Sequence, residues 1–403
     1  MSTPDAAAAR VAVVVSHPIQ HFCPQYAAWS RLDDVRLEVF FASRHGLDEY
    51  EDRNFARTVK WDSLRLDFPH QFLPGAAGRA VDVSLDEPEL DRRLDEFAPA
   101  AVIVYGYAQR LQRRALRWGR AHGVPVIMIA DSELRAPRPA WQRAAKALAL
   151  PRLLRQVDLF LTVGDANEAY YRSYGVDDRR LVRCGFPIDT RTFDALLERR
   201  DDVRASLRAE LGIPEDGIAI LNVGKLVSWK RQKDIVEFSN RARAEGGNLT
   251  VILAGSGADE EWLRKSSARI GPGGVLFAGF LQPSDLMRYY AAADIYAHCS
   301  LREPHSLAIS EAAYASLPIV VSSRCGSYGP MDDVRPGLNG FVYECGDVGG
   351  LTSSLLTLAR QPELRDAFGR ASREIAVETQ RRASGPALRQ ALRVLGISRP
   401  RAP

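Results

Sequence analysis

The chain has 403 residues, 46% of them hydrophobic and 26% charged, with 54 Lys and Arg against 50 Asp and Glu for a net charge of +4. This balance excludes a disordered, collagen-like or coiled-coil chain, and the length accommodates two or three domains, each able to bury its own core. No run of about 18 apolar residues occurs, so no membrane-spanning helix is expected.

The start, Met1–Arg10, is polar and alanine-rich, and the apolar run after it, Val11–Val15, is too short for a signal peptide and reads as the first strand. In the first half the predicted strands are 11–16, 35–41, 101–105, 125–130 and 159–163, each β-branched or aromatic and closed by turn or polar residues. Helical periods over 109–121 and 168–174 lie between them. In the second half the predicted strands are 218–223, 249–254, 275–277, 295–298, 319–322 and 340–343, again alternating with helices. A last amphipathic stretch covers 386–395, and the tail Ser398–Pro403 reads as frayed. The alternation predicts an α/β chain of two Rossmann-like, doubly wound domains facing each other across a cleft. The expected division is a first domain over 1–190, a linker over 191–213 that is charged and helix-like, and a second domain over 214–380. Residues 381–403 are free to pack back on the first domain.

The five cysteines, Cys23, Cys184, Cys299, Cys325 and Cys345, are odd in number and form no CxxC or Cys/His zinc spacing. Neither a disulfide framework nor a zinc site is expected, and a reducing, cytoplasmic setting fits. The basic residues are 48 Arg and only 6 Lys, so Lys225, Lys230 and Lys233 within nine residues stand out.

In open α/β sheets ligands bind beyond the carboxyl ends of the strands, and four strand exits of the second half carry suitable chemistry. Gly224-Lys225-Leu226-Val227-Ser228-Trp229-Lys230-Arg231 offers a glycine for close backbone approach and three cations suited to a diphosphate; a solvated basic loop is the plain alternative. Ala254-Gly255-Ser256-Gly257 begins like a dinucleotide fingerprint but has Glu260 where its third glycine belongs, so only a glycine-rich exit remains. Gly279-Phe280-Leu281 either lines a base pocket or is a turn before a helix. In Glu303-Pro304-His305-Ser306-Leu307-Ala308-Ile309-Ser310-Glu311, Pro304 bars a helix through Glu303 and Ser306 suits the N-cap of one starting near Leu307. Glu303 then lies in the loop and Glu311 about one turn into the helix, whose start favours phosphate.

Glu303 and Glu311, eight residues apart in this setting, resemble the EX7E motif of retaining glycosyltransferases of the GT4 family, which have the GT-B fold. Gly224-Lys225 and Lys230 are similar to that family's diphosphate site, with Lys225 where Arg is commoner. The resemblance covers roughly 218–343 and is looser over the first half. It implies transfer of a hexose-type sugar from a nucleoside-diphosphate sugar, UDP being the commonest, to a hydroxyl of a glycan, lipid-linked sugar or secondary metabolite. It implies that Lys225 and Lys230 neutralise the diphosphate without a metal or other cofactor, that Glu311 binds the ribose, and that Glu303 contacts the sugar. Backbone N–H groups of His305, Ser306 and Leu307 are then expected at the sugar or phosphate, with Gly224, Gly255 and Phe280 completing the donor site. Glu303, Lys230 and Lys225 are the expected catalytic set. His305-Ser306 stands where the family has Phe-Gly, which leaves the sugar open. A sugar-nucleotide epimerase and a non-catalytic sugar-nucleotide-binding protein are the alternatives.

In the first half the loop Ser16-His17-Pro18-Ile19-Gln20-His21 follows the first strand, and His17, Gln20 and His21 are candidate acceptor contacts; so are Tyr107, Asp131 and Ser132 at later strand exits. Relatives carry a His near the donor sugar here, and the residues leave its counterpart open. Residues 108–157 hold eleven Lys and Arg against two acids, a net +9 that leaves the rest of the chain at −5. Peripheral docking on an anionic membrane and a solvated Arg-rich face that attracts an anionic acceptor compete as readings. No nucleic-acid recognition module is visible.

Overall fold

The computed structural model describes residues 8–52, 57–59, 64–244 and 248–397; the first seven residues and the tail Ser398–Pro403 lie outside them. The first domain is a parallel sheet of β1 (Ala9–Val15), β2 (Val35–Phe41), β5 (His70–Phe72), β6 (Ala101–Tyr105), β7 (Val126–Ala130), β8 (Leu159–Thr162) and β9 (Leu181–Arg183), in the order β5-β2-β1-β6-β7-β8-β9. A small antiparallel pair, β3 (Tyr50–Asp52) and β4 (Arg57–Val59), stands outside it. The second domain is a parallel sheet of β10 (Ile218–Val223), β11 (Leu249–Ala254), β12 (Val275–Gly279), β13 (Ile295–His298), β14 (Ile319–Ser322) and β15 (Gly340–Tyr343), in the order β12-β11-β10-β13-β14-β15.

Both sheets are buried on both faces, which is why their strands read as continuous apolar runs. In β1, Val11, Val13 and Val15 face one core with Trp29 and Leu388, while Ala12 and Val14 face another with Leu111 and Trp118. In β10, Ala219 and Leu221 pack toward Tyr290 and Ile309, and Ile220 toward Ile235 and Phe238. The strand order reverses at β1, between β2 and β6, and at β10, between β11 and β13. These are the two points at which a doubly wound sheet opens a crevice for a ligand.

The segment 191–213 is not a free linker. It forms helices Thr190–Leu197 and Arg200–Leu211 built into the second domain. Phe193 packs among Tyr290 and Tyr314, and Arg204 and Arg208 both bind Asp294 while donating to the Ala292 carbonyl. An Arg-rich stretch looks solvated in sequence, but these two guanidinium groups cap the end of the helix Pro283–Ala292. The crossing itself is short, around Phe186-Pro187-Ile188. The helix Pro362–Ala383 returns beside it, and Gln380 ties the two together by donating to the Phe186 carbonyl and accepting from the Ile188 N–H, both at 2.9 Å.

The chain then ends on the first domain. Trp29 Nε1 donates to the Ala383 carbonyl at 2.9 Å, Arg389 pairs with Asp34 at 2.7 Å, and helix Pro386–Val394 buries Ala387, Leu388, Ala391 and Leu392 against the first sheet. We expect Leu388→Ala to lower stability by about 2–4 kcal/mol through the cavity it leaves. Urea unfolding followed by tryptophan fluorescence checks this, and an unchanged midpoint would show that the last helix does not support the first core.

Candidate active site

Loops from both crevices meet around a cavity of about 440 Å3, lined from the second domain by Gly224, Lys230, Gly255, Phe280, Leu281, Glu303, His305, Ser306, Leu307 and Glu311, and from the first by Gln20, His21, Tyr105, Asp131 and Phe186. Two close backbone contacts shape it. A Cβ on Gly255 would lie 1.9 Å from the Gly224 carbonyl oxygen, and one on Gly326 would lie 1.7 Å from that of Pro304. Only glycine lets the exits of β10 and β11 touch, and only glycine lets the loop after β14 brace the Glu303-Pro304 turn.

Lys230 ends a single 3-10 turn, Ser228–Lys230, fixed to the opposite loop by the Leu301 N–H donating to the Trp229 carbonyl at 2.8 Å. Its ammonium thereby meets the Glu303 carboxylate in a direct ion pair. Glu303 also accepts from His298 Nε2 at 3.0 Å, and Ser300 Oγ lies 3.0 Å from the same ring nitrogen. Burial alone would raise the Glu303 carboxyl, but the Lys230 charge and the His298 contact outweigh it and hold it at about 2. His298 is itself pushed down by burial, against the pull of Glu303. It was invisible as a functional residue because a histidine closing a buried strand reads as core.

Glu311, eight residues further on, has a different environment. It lies in helix Leu307–Tyr314, its Oε2 accepting from Tyr290 Oη at 2.8 Å. Burial pushes its carboxyl up to about 7, the Tyr290 hydrogen bond opposes that, and the Asp189 charge adds to it.

Several expected details are corrected. Ser306 is the N-cap but makes no side-chain cap bond, and its own N–H donates to Ser327 Oγ at 2.8 Å, so it is not available to a ligand. The three cations of the 225–231 loop separate. Lys225 does not line the cavity; its carbonyl accepts from Gln232, and Arg231 pairs with Asp234 at 2.7 Å, which leaves Lys230 as the loop's cavity-lining cation. On the first domain, Gln20, His21 and Asp131 reach the cavity, whereas His17, Tyr107 and Ser132 do not. His17 contacts Ser16 Oγ at 2.8 Å and packs edge-on to His45, the Tyr107 hydroxyl meets that of Tyr170 at 2.9 Å, and the Ser132 carbonyl accepts from Asn167.

His21 stacks on Phe186 at 4.7 Å and its Nε2 has no partner. Burial and the neighbouring His17 and His305 push it down to about 3, so it is neutral. Phe186, from the short crossing, also stacks on His305 at 4.8 Å. Burial would lower His305, yet Asp332 at 3.4 Å and Asp333 at 3.6 Å raise it. Among the described residues these three form the one cluster whose ligand atoms, all within 4.8 Å of one another, could hold a metal. Both carboxylates are already engaged: Asp332 accepts from the Asp165 and Asp333 N–H groups, and Asp333 from Ser310 Oγ. The donor set fits a buried His–Asp ion pair that also fastens the first domain's Asp165 to the second.

Two parallel, doubly wound domains with a site at their facing crevices define the GT-B class of fold. Solved structures agree over nearly the whole chain. A glycosyltransferase from Rickettsia africae superposes with a TM-score of 0.70 at 11% identity, covering 97% of this chain and 100% of that one. Anabaena Alr3699/HepE, solved in complex with UDP and glucose, superposes at 0.65 and 16% identity, covering 96% and 98%. Residues 203–375, within the second domain and the helix that leads into it, match the family Glycosyl transferases group 1, and this segment is similar to members of that family. The putative glycosyltransferase EpsD of Bacillus subtilis is 26% identical over 277 residues, 66% of this chain and 69% of that protein. The chain spans 34%, 48% and 35% of the length of three further curated relatives.

If Glu311 accepts from a ribose diol, binding must strengthen as its carboxyl ionises. We expect the affinity for uridine, which has no phosphate to titrate, to rise between pH 5.5 and 8 with a midpoint near pH 7, and Glu311→Gln to flatten that dependence. Ligand-observed NMR titration checks it; the same pH profile in both proteins would remove Glu311 from the ribose.

Proposed function

We propose that the protein is a retaining glycosyltransferase that moves a hexose-type sugar from a nucleoside-diphosphate sugar, UDP foremost, to an acceptor hydroxyl. The observation that carries this reading is the meeting of Lys230, Glu303, Glu311 and the first turn of helix Leu307–Tyr314 around one cavity. HepE, which shares the fold, has been solved with UDP and glucose, and this supports UDP as the donor nucleotide.

In the proposed reaction the bond from the sugar's anomeric carbon to the diphosphate breaks, the electron pair leaves with the diphosphate, and positive charge develops on the ring. Lys230 and the helix's N-terminal dipole meet the departing anion. Such charge, oriented before the reaction, lowers the barrier because no solvent has to reorganise. Lys230 then exchanges one anionic partner, Glu303, for another, and Glu303 turns its ionised carboxylate to the sugar hydroxyls. Neutral His21 and Asp131 face the sugar from the first domain. A departing phosphate oxygen takes the acceptor proton on the same face, so the anomeric configuration is kept. Lys230 supplies the charge for which other enzymes use a metal, so the proposed reaction is metal-independent.

Among the described residues no helix is long and apolar enough to cross a membrane. The helix Ala140–Leu154 nevertheless exposes Trp141 and Leu148, each 70% accessible, beside Arg143 and Arg152. An apolar edge within a basic region supports peripheral contact with an anionic cytoplasmic leaflet.

Lys230→Ala is expected to weaken donor binding and cut slow donor hydrolysis together, by about 100-fold or more in rate; wild-type kinetics would remove Lys230 from the site. EDTA is expected to leave activity intact, and loss restored by a divalent ion would move attention to His305, Asp332 and Asp333. Product analysis separates transfer from epimerisation. The double variant W141A/L148A is expected to lose co-sedimentation with phosphatidylserine-containing vesicles, and undiminished binding would refute the membrane reading.

A further inference from the structure

Tyr296 and His298 lie two apart on β13, so their side chains share a face of the sheet. The Tyr296 hydroxyl lies 3.2 Å from His298 Nδ1, and His298 Nε2 lies 3.0 Å from the Glu303 Oε2 that Lys230 also meets. Both rings are buried. An ionised carboxylate only accepts hydrogen bonds, so Nε2 carries the hydrogen of the neutral ring and Nδ1 accepts from Tyr296. This tautomer leaves Nδ1 as the position at which the ring can gain a proton, and the Tyr296 oxygen is placed to accept from it afterwards.

Among the described residues, Lys230 and His298 are the two groups in hydrogen-bond contact with Glu303 that can carry positive charge; the third contact is the Ser300 hydroxyl. The other titratable groups facing this pair are not cations. Cys325, on the loop after β14, is pushed up to about 12 by burial. Asp131 faces Glu303 from the first domain and is itself raised by burial, and Tyr290 and Glu311 lie beyond Tyr296. Burial pushes the His298 ring down, Glu303 pulls it up, and the Lys230 charge adds to the push. An anion seated on Lys230 cancels that last influence and parts Glu303 from its cation. A buried carboxylate without a counter-charge is costly, and the ring already bonded to it is the nearest group able to supply one.

We propose that His298 is a positioning residue that takes over from Lys230 as the counter-charge of Glu303: when the donor diphosphate draws Lys230 away, His298 gains a proton from solvent at Nδ1, and the imidazolium holds the Glu303 carboxylate ionised and aimed at the sugar. The proton returns to solvent when the diphosphate leaves and Lys230 rejoins Glu303. The trigger rests on the glycosyl-transfer reading, whereas the exchange between Lys230 and His298 does not.

The test observes the His298 ring nitrogens by heteronuclear NMR in the full chain carrying nitrogen-labelled histidine, assigned by the resonances lost in His298→Asn. At pH 7 the free protein is expected to show a neutral ring protonated at Nε2, and saturating UDP is expected to convert Nδ1 to an N–H. Lys230→Gln removes the cation without any ligand and is expected to produce the same imidazolium in the free protein. A ring that stays neutral in Lys230→Gln, or in the wild type with UDP bound, overturns the proposal, as does a ring already charged in the free wild type. Calorimetry of UDP binding in buffers of different ionisation enthalpy adds a readout of function. The wild type is expected to take up more protons than His298→Asn, by up to about one per site. Glu311 and the phosphate titrate in both proteins, so the difference belongs to His298. His298→Asn keeps an N–H for Glu303, so a ring that only donates a hydrogen bond or fills space would leave the uptake equal, which overturns the proposal. If UDP does not bind, the glycosyl-transfer reading loses its donor, and Lys230→Gln still decides whether His298 answers to the loss of the Lys230 charge.

Discussion

The ion pair between Lys230 and Glu303 is the contact on which the site turns. The two residues are far apart in sequence, and each sits at the exit of a strand next to the reversal at β10. Taking both charges out of water is expensive, and the Glu303 Oε2 that meets Lys230 also receives hydrogen bonds from its neighbours, which offsets part of that cost. His298 and Ser300 meet the same Glu303 Oε2 as Lys230 does, at 3.0 and 3.3 Å. Losing one partner would leave the other buried and uncompensated, at about 3–5 kcal/mol. A diphosphate arriving at Lys230 replaces the counter-ion rather than removing it, so the lysine need never stand unpaired in the pocket.

That arrangement depends on backbone geometry that only a doubly wound sheet with glycine at its strand exits provides. Gly224 and Gly255 let two parallel strands release their loops in contact, which brings the Ser228–Lys230 turn over the loop at Leu301. Gly326 lets the post-β14 loop press on Pro304, and the Ser327 hydroxyl then occupies the Ser306 N–H. The first domain is held against this platform at two places. On one side Gln380 and Trp29 tie the crossing segments together. On the other, Arg183 bridges Asp165 at 2.5 Å and the Met331 carbonyl at 2.9 Å, while Asp332 accepts from the Asp165 N–H. The site is therefore defined by the contact between domains as much as by either one.

The central strands of both sheets were legible because burial on both faces leaves an unbroken β-branched run; 35–41, 101–105 and 218–223 match the observed strands at both ends. The three-residue edge strands β5 and β9 carry no such run, and their pairing is decided by neighbours distant in sequence. The 191–213 stretch misled for an electrostatic reason. Arginines that bind Asp294 and a helix-end carbonyl look the same in sequence as arginines that face water. Lys225 and Lys230 differ likewise only in the turn that separates them. His298, Ser300 and Tyr290 could not be singled out, since each acts by orienting a glutamate already named. Phe186 was hidden in a crossing whose composition signals a turn, yet it stacks on both His21 and His305.

Glu303 and Glu311 show how far residue type alone falls short of chemistry. They are the same side chain eight positions apart, one held at about 2 and the other raised to about 7. The separation comes from their partners. Glu303 faces a cation and a histidine, while Glu311 faces a tyrosine hydroxyl in an enclosed setting with Asp189 adding to the negative field. A carboxylate fixed in its charged form suits electrostatic contact with a sugar whose ring acquires positive charge in the transition state. A carboxyl that ionises near neutrality suits a neutral diol, which it can bind without an uncompensated buried charge while the site is empty. In the proposed reaction the first has to be charged at every pH at which the enzyme works, and the second only when the nucleotide is in place.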